Sequence, residues 1–343
     1  MSSRSRMSES SAKMKARFAG ASLLWPAVGC AVLLLVNLIF FPSFFHLEIR
    51  EGHLYGTLVD ILNQGSKVML LAMGMTLVIA TRGVDLSVGS VMAISGAVAA
   101  LLVGKLAFAW VLAAALSAAL LAGTCNGILV GCFGIQPIIA TLILMVAGRG
   151  AAMLLTGGQI ITFENPSFVF LGNGHFLGLP FTVTWVVVVL CLALVVTHKT
   201  AVGLFLESVG DNERAAQLCG INTRLTKVIV YACSGLCAGM AGLIATANIK
   251  AADSSRVGEM MELDAIFAVV VGGTPLTGGR FNLAGSVLGA VFIQTLATTM
   301  YDLGVPPSVA AVPKAAMVVA VCLLQSPKFR AWLGALVGKR STT

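Results

Sequence analysis

The sequence predicts an all-α, polytopic membrane protein of about ten transmembrane or partly re-entrant helices. Three observations carry that prediction. Apolar residues make up 58% of the 343-residue chain and charged residues only 10%, against about 45–50% and about 25% in soluble domains. No water-facing surface can be built from so few polar groups, so the bilayer is the solvent that fits. The apolar residues fall into runs near the ~20 needed for one helical pass. Lysine and arginine gather in alternate gaps between those runs, as they do in cytoplasmic loops of membrane proteins.

Residues 1–18 form a polar tail carrying Arg4, Arg6, Lys13, Lys15 and Arg17, and a charge-free run from Phe18 to Phe45 follows. A cleaved signal has a shorter core and a small-residue cleavage site, so this run is expected to stay as a first helix over 19–41. Further segments are expected at 58–80, 86–104, 108–132, 136–156, 179–197, 227–248, 263–273, 282–301 and 309–325. The eighth and tenth are short for a full span and are the candidates for partial or re-entrant passage. A transmembrane domain thus covers 19–326, and 327–343 is a second polar tail.

The basic residues set the orientation. With the N-terminus in the cytoplasm, 15 of 22 lie on the cytoplasmic side, among them Arg82, Lys199, Arg214, Arg224, Lys227 and Arg280. Only 4 lie outside (Arg50, Lys105, Lys250 and Arg256), and Lys67, Arg149 and Lys314 fall within segments. This asymmetry predicts an even number of crossings and both termini in the cytoplasm. Lys67 is an unexplained cation inside the second segment; Arg149 and Lys314 are expected to snorkel outward.

The longest cytoplasmic loop, 198–226, contains a helix signature. Asp211 suits the N-cap, Glu213 the first turn and Gly220 the C′ position. A two-turn helix over Asn212–Cys219 follows, with Ala215, Ala216 and Leu218 as a weakly apolar face too small to anchor in lipid. It is either a solvated linker or a helix that docks in a groove on a partner.

Two glycine-rich turns join apolar segments with almost no loop, Thr81–Ser87 and Gly272–Arg280. They hint weakly at an internal repeat. Asp85 and Ser87 either cap the next helix or mark a functional site, since a carboxylate this close to lipid is costly. Asn63, Asn126, Thr141 and Gln294 either line a pathway or hydrogen-bond helices to one another.

Several function classes are excluded. There is no G-x-x-x-x-G-K-[ST], so no P-loop nucleotide site, and neither H-E-x-x-H nor G-x-S-x-G is present. The eight cysteines have no zinc-ligand spacing, so no metal is expected. The net charge of +8 lacks the basic patch interleaved with aromatics that nucleic acid requires.

The Gly74–Ser90 block, Asn126-Gly127 followed by Ile135-Gln136-Pro137, the stretch Glu207–Ile221, and Glu262–Ile266 through Gly279-Arg280 resemble the permease subunits of bacterial ABC sugar importers of the ribose/galactose class. The resemblance covers roughly residues 55–328. Gln136-Pro137, Ala147–Gly150 and Gly278–Asn282 are most similar to galactofuranose-importer permeases. The chain departs from the pattern at Arg82, where a glycine is usual, and at Pro275, where a serine is usual.

The resemblance implies a pathway enclosed by two permease subunits, identical or a related pair. It also implies two cytoplasmic ATPase domains that use ATP and Mg, and a periplasmic sugar-binding protein. The chain itself would bind no cofactor. Glu207, Gly210, Asp211, Asn212, Ala215, Ala216, Leu218, Gly220 and Ile221 would form the ATPase-coupling site, passing motion to the sixth and seventh segments. Asn63, Asp85, Ser87, Asn126 and Thr141 are the pathway candidates. Arg50, Glu51, Arg256 and Glu259 are the candidates for binding-protein contact. The competing readings are an ion-coupled secondary transporter, with Asp85 or Asp264 as its carboxylate, and a passive channel or scaffold.

Overall fold

A computed structural model describes residues 26–40, 42–45, 47–50, 52–306 and 309–325. The expected tails at 1–18 and 327–343 lie outside these residues, as do Glu51 and the side chain of Arg50.

Each of the ten expected segments contains one helix. They are α1 (Pro26–Phe40), α2 (Thr57–Ala80), α3 (Val88–Leu102), α4 (Phe108–Gly131), α5 (Pro137–Thr156), α7 (Phe181–Lys199), α10 (Thr223–Ile249), α11 (Met261–Val271), α12 (Leu283–Asp302) and α13 (Ala311–Gln325). Six of them, α2, α4, α5, α7, α10 and α12, are long and apolar enough to cross a membrane. Three more helices lie between them: α6 (Pro166–Asn173), α8 (Val202–Asp211) and α9 (Glu213–Leu218). The only strands among the described residues are three two-stranded antiparallel ribbons of two or three residues per strand.

Helices α2, α10 and α12 are mostly buried, whereas α4, α5 and α7 turn broad apolar faces outward through residues such as Trp110, Val146, Leu154 and Leu192. The most extensive helix–helix seam is between α4 and α10. A Cβ on Gly123 would stand 2.4 Å from the Tyr231 carbonyl oxygen and 2.9 Å from the Gly235 Cα. Only glycine permits that approach, and in lipid such close packing is a main source of helix–helix affinity.

The bundle has two distinct ends. The hairpin end carries the ribbon Glu48–Arg50/His53–Tyr55 and the ribbon Ile161–Thr162/Ala251–Ala252. The arm end carries the Thr81–Ser87 turn, the α4–α5 link, α8–α9 and the Gly272–Arg280 turn. The two glycine-rich turns touch there, with the Gly279 N–H donating to the Ala80 carbonyl at 3.0 Å.

The eighth segment is a half-helix. At 11 residues, α11 spans about 16 Å of a core about 30 Å thick. The chain reaches its start by running back into the bundle. After Ala251–Ala252, the Ser254 hydroxyl meets Thr156 at the end of α5 (3.3 Å), and Arg149 binds the carbonyls of Ser254 (3.1 Å) and Val257 (2.5 Å). Arg149 lies two turns before Thr156, about 10 Å deeper. Gly258 then packs on Gly89 at the start of α3, where a Cβ on Gly89 would lie 2.3 Å from the Gly258 carbonyl oxygen.

Two expectations are corrected here. Arg149 does not snorkel, because the descending loop supplies carbonyls to it. Lys314 does not snorkel either: it pairs with Asp264 on α11 at 2.8 Å. Lys67 is buried and donates to the Gln64 side chain one turn earlier, at 2.5 Å.

Candidate functional site

The 198–226 stretch forms a jointed arm. α8 continues almost directly from α7 and buries Gly203, Leu206, Val209 and Gly210, while Glu207 stays partly exposed. The N-cap of α9 is Asn212, whose side chain accepts from the Ala215 N–H at 3.1 Å. Asp211, expected in that role, is instead the last residue of α8. Asn212 wins because its extended backbone (φ −153°, ψ 102°) is the break between the two helices, and an N-cap must be non-helical.

Gly220 holds the expected C′ position at φ +85°. Its N–H donates to Gln217 O and the Ile221 N–H to Ala216 O, each at 3.0 Å, the paired bonds of a Schellman motif. Capping at both ends is what lets so short a helix persist. Its outward side presents Arg214, Ala215 and Leu218, the last 90% exposed. Ala216, expected on that apolar face, is turned into the chain and is 4% exposed.

Two basic residues make contacts with the arm that the sequence did not reveal, and of these Arg82 is the anchor. Arg82 adopts φ +62°, a conformation that suits glycine. It donates through Nε to Thr277 O (2.9 Å) and through Nη2 to Asp211 O (2.6 Å). Lys227, in the second turn of α10, pairs with Glu213 at 2.7 Å. A cavity of about 360 Å³ lies between the arm and the ends of α2, α4, α5 and α10, lined by Gly83, Val130, Gln136, Val209, Glu213 and Tyr231 among others.

Three of the five pathway candidates are brought together. Asp85 is fully buried: its Oδ1 accepts from the Ser87 N–H (3.0 Å) and hydroxyl (2.6 Å), and its Oδ2 from the Ser234 hydroxyl (2.8 Å). Asn126 Nδ2 donates to Ser87 Oγ at 2.8 Å. This cluster ties the α2–α3 turn to α4 and α10. Ser234 was legible only as the one serine in an otherwise apolar stretch of α10. Thr141 donates within α5 to Pro137 O (2.9 Å) and lies 3.4 Å from Val84 O. Asn63 is far away at the hairpin end, accepting from Thr182 Oγ1 at 2.8 Å.

At the hairpin end, Arg256 and Glu259 are exposed on the descending loop, and Arg50 lies in the first ribbon opposite His53. Asp253 opens that loop. The Ser255 hydroxyl and the N–H groups of Ser255 and Arg256 all donate to its carboxylate. The Ser255 hydroxyl foremost holds the Asp253 carboxyl below the usual carboxylate range.

A family model described as branched-chain amino acid transport system / permease component matches residues 57–322. The galactofuranose transporter permease protein of Escherichia coli is 49% identical over 89% of this chain and 91% of its own length. The fructose import permease protein of Bifidobacterium longum is 39% identical, covering 90% and 88%. The ribose import permease protein of Escherichia coli is 38% identical, covering 84% and 88%.

Proposed function

Since the chain belongs to the family of branched-chain amino acid transport system permease components, we propose that it is the membrane-spanning permease subunit of an ATP-driven sugar importer. The cargo is a pentose or hexose, with galactofuranose the first to test because the relative named for it shares 49% of aligned residues. The chain sits in the bacterial inner membrane with the arm end and both termini in the cytoplasm. Arg82, Lys199, Arg214, Arg224, Lys227 and Arg280 at that end support this orientation by the positive-inside rule.

The observation that carries the reading is the arm: a capped two-turn helix with Leu218 bare at its tip, braced against the transmembrane helices behind it. Such a helix suits a groove on a moving partner. Two ATPase domains close on ATP and Mg, and each shifts one arm. A second permease, identical or related, completes the pathway, which alternates between outward and inward access by rocking of packed helices. A periplasmic sugar-binding protein delivers cargo to the hairpin end, with Arg256 and Glu259 exposed there. The chain performs no covalent chemistry; its role is to couple hydrolysis to two conformations.

The test is to purify the tagged protein in mild detergent, identify its companions by mass spectrometry, and measure uptake of labelled galactofuranose, fructose and ribose in proteoliposomes. Co-purification of a P-loop ATPase with ATP-dependent uptake is the expected result. Uptake abolished by an uncoupler at constant ATP, with no ATPase bound, would favour the ion-coupled transporter.

A further inference from the structure

The arm is held unequally on its two sides. Toward α2 and the Gly272–Arg280 turn there is no slack. A Cβ on Gly210 would lie 1.8 Å from the Ala80 carbonyl oxygen and 2.5 Å from the Gly279 nitrogen. That Ala80 oxygen already accepts from the Gly279 N–H at 3.0 Å. Across this junction Arg82 reaches both partners, binding Thr277 O in the turn and Asp211 O at the end of α8. Toward α4, α5 and α10 the arm faces the 360 Å³ cavity. The charged contact on that side is the Glu213–Lys227 pair, with Glu213 42% and Lys227 16% exposed, a single ion pair across an otherwise open gap.

Covalent connection alone would pass the arm's movement to α7 and α10, the helices it joins. We infer that it passes instead to α2 and to the α11–α12 turn, with Arg82 as the positioning residue that makes the three elements move together. Displacement toward the cavity meets open space and one ion pair whose carboxylate is partly exposed. Displacement that separates the arm from Ala80 and Gly279 breaks close-packed backbone contacts and the charge-assisted hydrogen bond from Arg82 to Asp211 O. The packed side therefore follows the arm, since close-packed interfaces transmit strain and voids do not.

The two turns held by Arg82 also determine what is moved. The first leads directly into Asp85 and α3, and the second is the terminus of α11. These are the two short helices whose N-termini meet inside the bundle at Gly89 and Gly258. A shift of the arm thus reaches, through one residue, both elements that begin within the membrane. Helices broken in this way lie beside the transport pathway in many carriers.

This inference rests on the importer reading, and the experiment separates the two. The permease–ATPase complex is purified and reconstituted, and ATP hydrolysed per sugar imported is measured for wild type, Arg82→Ala, Arg82→Lys and Lys227→Met. Failure of wild type to bring down an ATPase defeats the importer reading. With a coupled wild type, Arg82→Ala should assemble normally yet raise the ATP-to-sugar ratio by about tenfold, the worth of one charge-assisted hydrogen bond. Arg82→Lys, which keeps the charge and one bond, should fall between and is read alone if Arg82→Ala does not assemble. Lys227→Met should leave the ratio near wild type. A purely structural defect would lower hydrolysis and uptake together. An unchanged ratio in the Arg82 variants, or an equal rise in Lys227→Met, overturns the inference.

Discussion

The Arg149 Nη1 atom lies 2.5 Å from the Val257 carbonyl oxygen, joining the middle of α5 to a loop that re-enters from the hairpin end. The same nitrogen lies 3.1 Å from Ser254 O. Hydrogen bonds from a charged donor are worth about 1.5–3 kcal/mol each, so Arg149→Leu should free the loop. Amide hydrogen exchange over 250–260 is expected to quicken by more than about tenfold, since local opening follows local bonding. Unchanged protection there would mean that Gly258 packing on Gly89 holds the loop without Arg149.

The Asp264–Lys314 pair ties the half-helix α11 to α13, with side chains 19% and 14% exposed respectively. Removing one partner of a buried pair costs about 3–5 kcal/mol, whereas replacing both with apolar residues is often neutral. Lys314→Met or Asp264→Leu alone should lower the melting temperature in detergent, and the double variant should recover most of the loss. Additive losses in the double variant would show that the pair interacts too weakly to matter.

How far the fold was legible follows from these elements. The helices of the ten expected segments could be read because each lies in an apolar run bounded by Gly, Pro or charge, a signal set by the bilayer. α8 was missed because only four of its ten residues are buried, and its pattern merges with the end of α7. Asp211 and Asn212 are both good caps, and adjacency alone could not choose between them. The descending loop was hidden because its depth depends on carbonyls meeting Arg149, and no residue type marks a carbonyl. For the same reason Arg82 stood out in the sequence only as a basic residue where a glycine is usual, although its two partners are main-chain oxygens.

Asp85 accepts three hydrogen bonds, two from Ser87 and one from Ser234, and it is buried. Asp85→Ala would strand those donors, and an unsatisfied buried donor costs about 1–3 kcal/mol. Asp85→Asn keeps an oxygen for Ser87, and the Ser234 hydroxyl can turn to accept from the new amide. The asparagine variant should therefore assemble and transport nearly as wild type, while the alanine variant loses thermal stability and expression. Abolished uptake in a well-folded Asp85→Asn protein would restore the ion-coupled reading, in which this carboxylate must ionise.

Leu218 and Ala216 separate docking from folding within one short helix. Leu218 is 90% exposed and Ala216 4%, although the two are only two residues apart. Neighbours at that spacing point to different sides of a helix. Leu218→Glu places a charge on the outer face, where a partner groove would have to desolvate it. It should release the ATPase while leaving the permease's own melting temperature unchanged. Ala216→Glu puts the carboxylate behind the helix, against the chain's own packing, and burying an unpaired charge is strongly destabilising. It should lower the melting temperature of the permease with or without the ATPase present. Thermal melts and co-purification on both variants decide between the two effects. Retention of the ATPase by a stable Leu218→Glu protein would move the docking surface off α9.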